Sequence, residues 1–145
     1  MRESLTLVTK SDTSHVVELR IPSKAEWVGV ARLAVAGIAS RLQFSMEDIE
    51  DLKLAVAEAC TNCIQHAPSG DSVAITCKIF NDKIVVTVED EGAAPSVGAL
   101  EPRRLGEPKV GGLGVFLIRS LMDDVEYELN PQAGTKLTMT KFLRT

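Results

Sequence analysis

The stretch IEDLKLAVAEACTNCIQHA, residues 49–67, decides how the rest of the chain is read. Ile49, Leu52, Val56, Ala59 and Cys63 recur at three- and four-residue intervals, which is one face of an α-helix. Glu58, Asn62 and His66 stand four apart on another face, within about 80° of one another and about 100° to 200° from the apolar stripe. Ser45, three residues before Asp48, opens the helix as a cap, and Pro68, Ser69 and Gly70 close it. With Asp51 and the small Ala55 alongside, Glu58 and Asn62 form a wall able to hold a hydrated cation and a base. Magnesium suits such a wall, because it takes few protein oxygens and keeps waters and phosphates as its other ligands. A solvated helix face is the other reading of this spacing.

Working outward, HVVELRI (15–21) reads as a strand stopped by Pro22, and LTLV (5–8) as a short additional one. Ser23 and Glu26 have capping-box spacing, and Trp27, Val30, Ala34, Ile38 and Leu42 then follow at helical intervals. After the central helix, SVAITCKIF (72–80) and KIVVTVED (83–90) alternate as strands joined at Asn81-Asp82. Residues 91–112 contain five glycines and three prolines without an apolar period, the texture of a functional loop or lid. Helix returns at LGVFLIRSLMD (113–123), and DVEYEL (124–129), a turn at NPQAG and TKLTMTKFL (135–143) make a second hairpin. The order β, α, α, β, β, lid, α, β, β predicts a two-layer α/β sandwich. Its sheet is mixed or mostly antiparallel, with helices on one face.

The 145 residues fit one domain, 1–145, and with 4% aromatics its core is built from aliphatic residues and alanine. A net charge of −4, with no Lys/Arg cluster interleaved with aromatics, argues against a nucleic-acid partner. The N-terminus lacks the apolar core of a signal peptide. VGVARLAVAGIAS (28–40) is too short to span a bilayer and contains Arg32, so no membrane role and a cytoplasmic location are expected. Cys60 and Cys63 form a C-x-x-C pair inside the predicted helix, away from the N-terminus that activates redox thiols, and only two histidines exist to complete a zinc set. They read as small core residues.

Two further segments bear on chemistry. Asp90, ending a strand before Glu91 and Gly92, places a carboxylate where backbone can approach a ligand, although the same residues also make a simple turn. Gly111, Gly112 and Gly114 directly precede a helix, and a glycine-rich helix start presents N–H groups to phosphate.

In this order, the three pieces resemble the GHKL (Bergerat-fold) ATPase superfamily. IEDLKLAVAEACTNCIQHA and GGLGVFLIRSLMDDVEYE resemble specifically the bacterial RsbW-type anti-sigma factor serine kinases, over about Val16 to Leu143. The resemblance implies an ATP- and Mg-dependent protein serine/threonine kinase, with Glu58 as general base and Asn62 as the magnesium ligand. It assigns Asp90 to the adenine amino group, Gly92 to close approach of the base, Gly112 and Gly114 to the triphosphate border, Thr135 to the adenine neighbourhood, and 91–112 to the ATP lid. It gives His66 no role. One departure stands out: Ala94 occupies the second glycine position of the family's D-x-G-x-G box.

The resemblance also implies partners. They are an alternative sigma factor contacted by Arg32, a small STAS-type anti-anti-sigma antagonist that is phosphorylated, and a second copy of the chain across the first helix. Such partner switching belongs to bacterial transcription control and stress response. A nucleotide-binding module that holds a sigma factor without transferring phosphate is the alternative, and intact Glu58 and Asn62 argue against it. A GHKL domain detached from a sensor histidine kinase is disfavoured by the lack of a phosphoacceptor helix.

Overall fold

Strand formation follows the alternation of the sequence: Val73, Ile75 and Cys77, and Ile84, Val86, Val88 and Asp90, point to one face and are buried there. The computed structural model describes residues 15–66, 72–90, 109–130 and 134–144. In it, β1 (His15–Pro22), β2 (Ser72–Ile79), β3 (Lys83–Asp90), β4 (Asp124–Asn130) and β5 (Gly134–Phe142) form one sheet in the order β1-β2-β3-β5-β4. Every ladder among the described residues is antiparallel, in line with the expected mostly antiparallel sheet. The hairpin between β2 and β3 closes at Asn81-Asp82, where the Phe80 amide donates to the Lys83 carbonyl at 3.0 Å.

Among the described residues, three α-helices, α1 (Val28–Ala39), α2 (Met46–His66) and α3 (Lys109–Leu121), and a short 3-10 helix complete the element order. The central one, α2, lies across β2, β3 and β5, with α1 and α3 packed on either side of it. Its start is capped as the sequence predicts, the Asp48 amide donating to Ser45 Oγ at 3.0 Å. Leu52, Val56, Ala59 and Cys63 of the predicted stripe are buried, and Ile49 packs against that core half-buried. Each fully buried Leu, Ile or Val contributes about 1.5–3 kcal/mol, so this two-layer core holds without cross-links.

Three expectations change. Ser23 does not cap α1. After Pro22 the chain first makes a 3-10 turn over Ala25–Trp27, with the Trp27 amide on the Lys24 carbonyl, and this places Ser23 too early for capping. The stripe expected from Trp27 and Val30 is rotated, since Ala31, Val35 and Ala39 are buried while Trp27 and Val30 are exposed. Eleven of the twelve residues of α1, all but Arg32, are Ala, Val, Leu, Ile or Gly, so periodicity does not select a face; close packing on α2 does, and it selects small residues. Finally, α3 begins at Lys109, inside the segment expected to be lid. The strand expected over 5–8, Ala94 and lid residues 91–108 lie outside the described residues.

Candidate functional site

One helix turn separates Glu58 from Asn62 on α2, and both face α3. A Cβ built on Gly114 of α3 would stand 3.1 Å from Glu58 Oε1 and 3.7–3.8 Å from the Asn62 amide atoms. A methyl there would require the Glu58 carboxylate to give by a few tenths of an ångström, so the glycine suits this close approach. Glu58 is half-buried, whereas Asn62 is 5% exposed. The Asn62 Nδ2 is buried and has no hydrogen-bond partner among the described residues. Such a group costs about 1–3 kcal/mol when left unsatisfied, which is the expected signature of a side chain kept for a ligand.

Gly114 lies within α3, not directly before it, and Gly112 is also inside the helix that begins at Lys109. Ala55 is fully buried beneath the polar pair and is not part of an open wall. Asp51, expected on the same face, ion-pairs with Lys141, Oδ2 to Nζ being 3.6 Å. His66 ends α2, and its side chain lies outside the described residues.

The second part of the site is at the end of the sheet. Asp90 is the last residue of β3 and is 2% exposed, and it pairs with Val73 on one side. On the other side, one step beyond the Glu89–Lys136 pair, the register brings it to Thr135, also 2% exposed. Sequence reasoning missed Gly134. Its φ of +97° is in the region that favours glycine, and a Cβ there would stand 2.8 Å from Asp90 Oδ2. The available signal was a glycine directly preceding a strand threonine after a turn. Gly92 lies outside the described residues.

Cys63 connects the two parts. Burial raises its thiol pKa most, with Cys60, Asp90 and Glu89 adding to the shift, so the C-terminal half of α2 lies over the Asp90 end of β3. Cys60, pushed up by burial to about 12, and Cys77, pushed up to about 11, are free and buried as well. Buried, protonated thiols of this kind are poor nucleophiles at ordinary pH, and the C-x-x-C pair is part of the core. Among the described residues no three His, Cys, Asp or Glu gather to hold a metal. A cation beside Asn62 would therefore draw its remaining ligands from water and a bound phosphate, which is how magnesium binds. Asn62 would reach such an ion through its Oδ1, and its unpartnered Nδ2, a donor, would be left for a phosphate oxygen.

Arg32 is exposed on α1, remote in sequence and role from this arrangement, beside exposed Val30 and Leu33. No helix among the described residues is long and apolar enough to cross a membrane.

Comparisons with known proteins agree with this architecture. The histidine kinase-like ATPase domain family matches residues 21–141. A serine-protein kinase RsbW of Halalkalibacterium halodurans is 42% identical over 139 residues, 90% of this chain and 85% of that protein. The one of Bacillus subtilis is 38% identical over 143 residues, covering 91% and 88%. Among solved structures, the RsbU and RsbW domains of a Mycobacterium tuberculosis protein align with a TM-score of 0.68 at 13% identity, over 91% of this chain. This chain spans about a third, 34%, of that longer one. The SiaB–SiaC complex of Pseudomonas aeruginosa aligns with a TM-score of 0.59 at 10% identity, over 99% of this chain and 100% of the other. Both structures bear on the fold alone. By the family match and the identity to its relatives, the chain belongs to the histidine kinase-like ATPase domain family and, within it, to the RsbW-type serine-protein kinases.

Proposed function

We propose that this RsbW-type kinase binds ATP with magnesium along the face formed by Glu58, Asn62, Asp90 and Thr135 and phosphorylates a serine or threonine of a small STAS-type anti-anti-sigma antagonist. In the same reading it sequesters an alternative sigma factor when the antagonist is phosphorylated. The observation that carries the proposal is the buried Asn62 Nδ2, without a hydrogen-bond partner among the described residues, one turn from a half-buried carboxylate and opposite Gly114.

Each residue has a role. The Glu58 carboxylate takes the proton of the acceptor hydroxyl as the serine oxygen bonds to the γ-phosphorus and the bond to the β,γ-bridging oxygen breaks, releasing ADP. Asn62 would hold the magnesium ion, which when bound offsets the charge of the phosphates. Asp90 accepts a hydrogen bond from the adenine amino group, with Thr135 beside it, and Gly92 lets the base approach. Gly112 and Gly114 border the triphosphate, and 91–112 is the ATP lid of a single domain spanning 1–145, its last four residues forming the first turn of α3.

Partner binding uses α1. Arg32 is exposed there, and nothing lies within 4 Å of where a Cβ would stand on Gly29 or Gly37, so another chain can approach this helix closely. Arg32 contacts the sigma factor, and the same helix contributes to a homodimer. Phosphate on the antagonist separates it from the kinase by repulsion and desolvation.

The test is Glu58→Gln, which keeps size and removes the basic carboxylate. Mg-ATP binding and sigma capture should persist, while transfer of labelled phosphate to the cognate antagonist should fall by about 10²–10⁴-fold. Undiminished transfer removes Glu58 from the mechanism. A wild-type protein that captures sigma but never phosphorylates its antagonist is the sequestering module instead.

A further inference from the structure

Alternation along β5 places Leu137, Met139 and Lys141 on the buried face, so a lysine stands where the pattern calls for an apolar residue. Lys141 is 4% exposed. Its Nζ donates to the Leu121 carbonyl, the last residue of α3, at 2.6 Å, and lies 3.7 Å from Asp48 Oδ1 and 3.6 Å from Asp51 Oδ2 on α2. A buried ammonium is costly unless paired, and here its partners come from two different helices. The charge also suits the C-terminal end of α3, where unsatisfied carbonyls carry partial negative charge.

The chain after α3 is fastened to the same strand. The Asp123 amide donates to the Thr140 carbonyl at 2.9 Å, the Phe142 amide donates to Asp123 Oδ2 at 2.7 Å, and Arg144 pairs with Asp123. The C-terminal end of α3 is thus anchored, and nearer its start the helix approaches the polar face of α2 closely at Gly114, against Glu58 and Asn62. The helices run antiparallel: Glu58 and Asp51 are seven residues apart on α2, and Gly114 and Leu121 are seven apart on α3. Seven residues are about 10 Å of helix with a drift of only about 20°, so the two contacts are matched rungs on one seam. A displacement at the Lys141 rung is carried along the rigid helix to the Gly114 rung.

We propose that Lys141 is a positioning residue: it braces α3 against α2 and thereby sets the distance between the Gly114 end of α3 and the Glu58–Asn62 pair. Resting on the nucleotide site proposed above, the brace acts on the phosphate end of ATP and not on the adenine end, which Asp90 and Thr135 hold on the sheet. Lys141 touches neither substrate nor reacting atoms.

The experiment compares ATP, with magnesium, and adenosine as probes of the wild type, Lys141→Met and Lys141→Arg. In Lys141→Met, ATP affinity should fall about tenfold, the scale of one hydrogen bond to a charged group, while adenosine affinity should change by less than about twofold. Lys141→Arg, which retains charge and donors, should recover most of the ATP affinity. Amide exchange over Val115–Ile118 should quicken in Lys141→Met relative to β2 and β3. Should Lys141→Met not fold, Asp51→Asn, at a half-exposed position, removes one counter-charge and should give the same pattern at smaller size. Equal loss of ATP and adenosine, or unchanged ATP affinity with unchanged α3 exchange, overturns the proposal. Wild-type protein that binds neither probe refutes the nucleotide site instead, and the exchange comparison alone then decides for or against the brace.

Discussion

Gly134→Ala is the substitution that probes the sheet end of the site most directly. The new Cβ would stand 2.8 Å from Asp90 Oδ2 and 3.3 Å from Asp90 Cβ and Cγ, at a backbone φ of +97°. Asp90 is almost fully buried and flanked by Val73 in its ladder, so its carboxylate has little room to retreat. Backbone strain of about 1–3 kcal/mol follows from a side chain at such a φ, and for a domain of this length each kcal/mol lowers the thermal midpoint by about 2–4 °C. The functional effect is of comparable size in free energy. If the displaced carboxylate loses its hydrogen bond to adenine, about 1.5–3 kcal/mol disappears, or about 10- to 150-fold in ATP affinity. Calorimetric titration of ATP into the wild type, Gly134→Ala, Asp90→Asn and the double variant measures this. Because both substitutions break one interaction, the double variant should bind no more weakly than the worse single one. A folded Gly134→Ala protein with unaltered ATP affinity, or losses that add in full, would refute the reasoning.

Asn62→Ala should abolish the gain in ATP affinity that magnesium provides and leave the fold intact, since the Asn62 Nδ2 has no hydrogen-bond partner among the described residues. Titrations with magnesium and with a chelator measure this, and a magnesium effect of full size would show that the ion is held elsewhere. Asp123→Asn should flatten the acid side of the stability profile. Burial raises the Asp123 pKa, but the Phe142 amide, Arg144 and Lys141 together outweigh it and hold the carboxyl below its ordinary value. A folded-state pKa below the unfolded one contributes stability that is present above about pH 4 and lost as pH falls through the folded value. Urea titrations from pH 6 to pH 3 should therefore converge for the variant and the wild type at the acid end.

The fold was largely legible because its signals are local and repeated. Alternation of Val73, Ile75 and Cys77 against polar neighbours, and the three-four spacing of Leu52, Val56, Ala59 and Cys63, each admit one buried face. Helix α1 lacked that contrast: VGVARLAVAGIA is apolar on nearly every side, so which residues face inward is decided by packing on α2 and not by sequence period. The capping box at Ser23 failed for a related reason. Its spacing was correct, but the route of the chain after Pro22 inserted a 3-10 turn that no spacing rule foresees.

At the site, sequence could nominate side chains but not their neighbours. Glu58 and Asn62 could be nominated because a helical face with two polar groups beside an apolar stripe is a one-dimensional signal. Gly114 was found as part of a glycine cluster, yet its close approach to Glu58 requires α2 and α3 to be side by side, a relation between residues 56 apart in the chain. Asp51 was misplaced by the same limit: on the wheel it belongs with Glu58, but a lysine 90 residues later claims it. Lys141 itself broke a local rule in plain view, a charge at an inward strand position, and such a break is informative only once its partners are known. A buried charge held by carboxylates from one helix and the terminal carbonyl of another fixes the relative placement of the two. That relative placement is what a base on one helix and a phosphate border on the other would need to share.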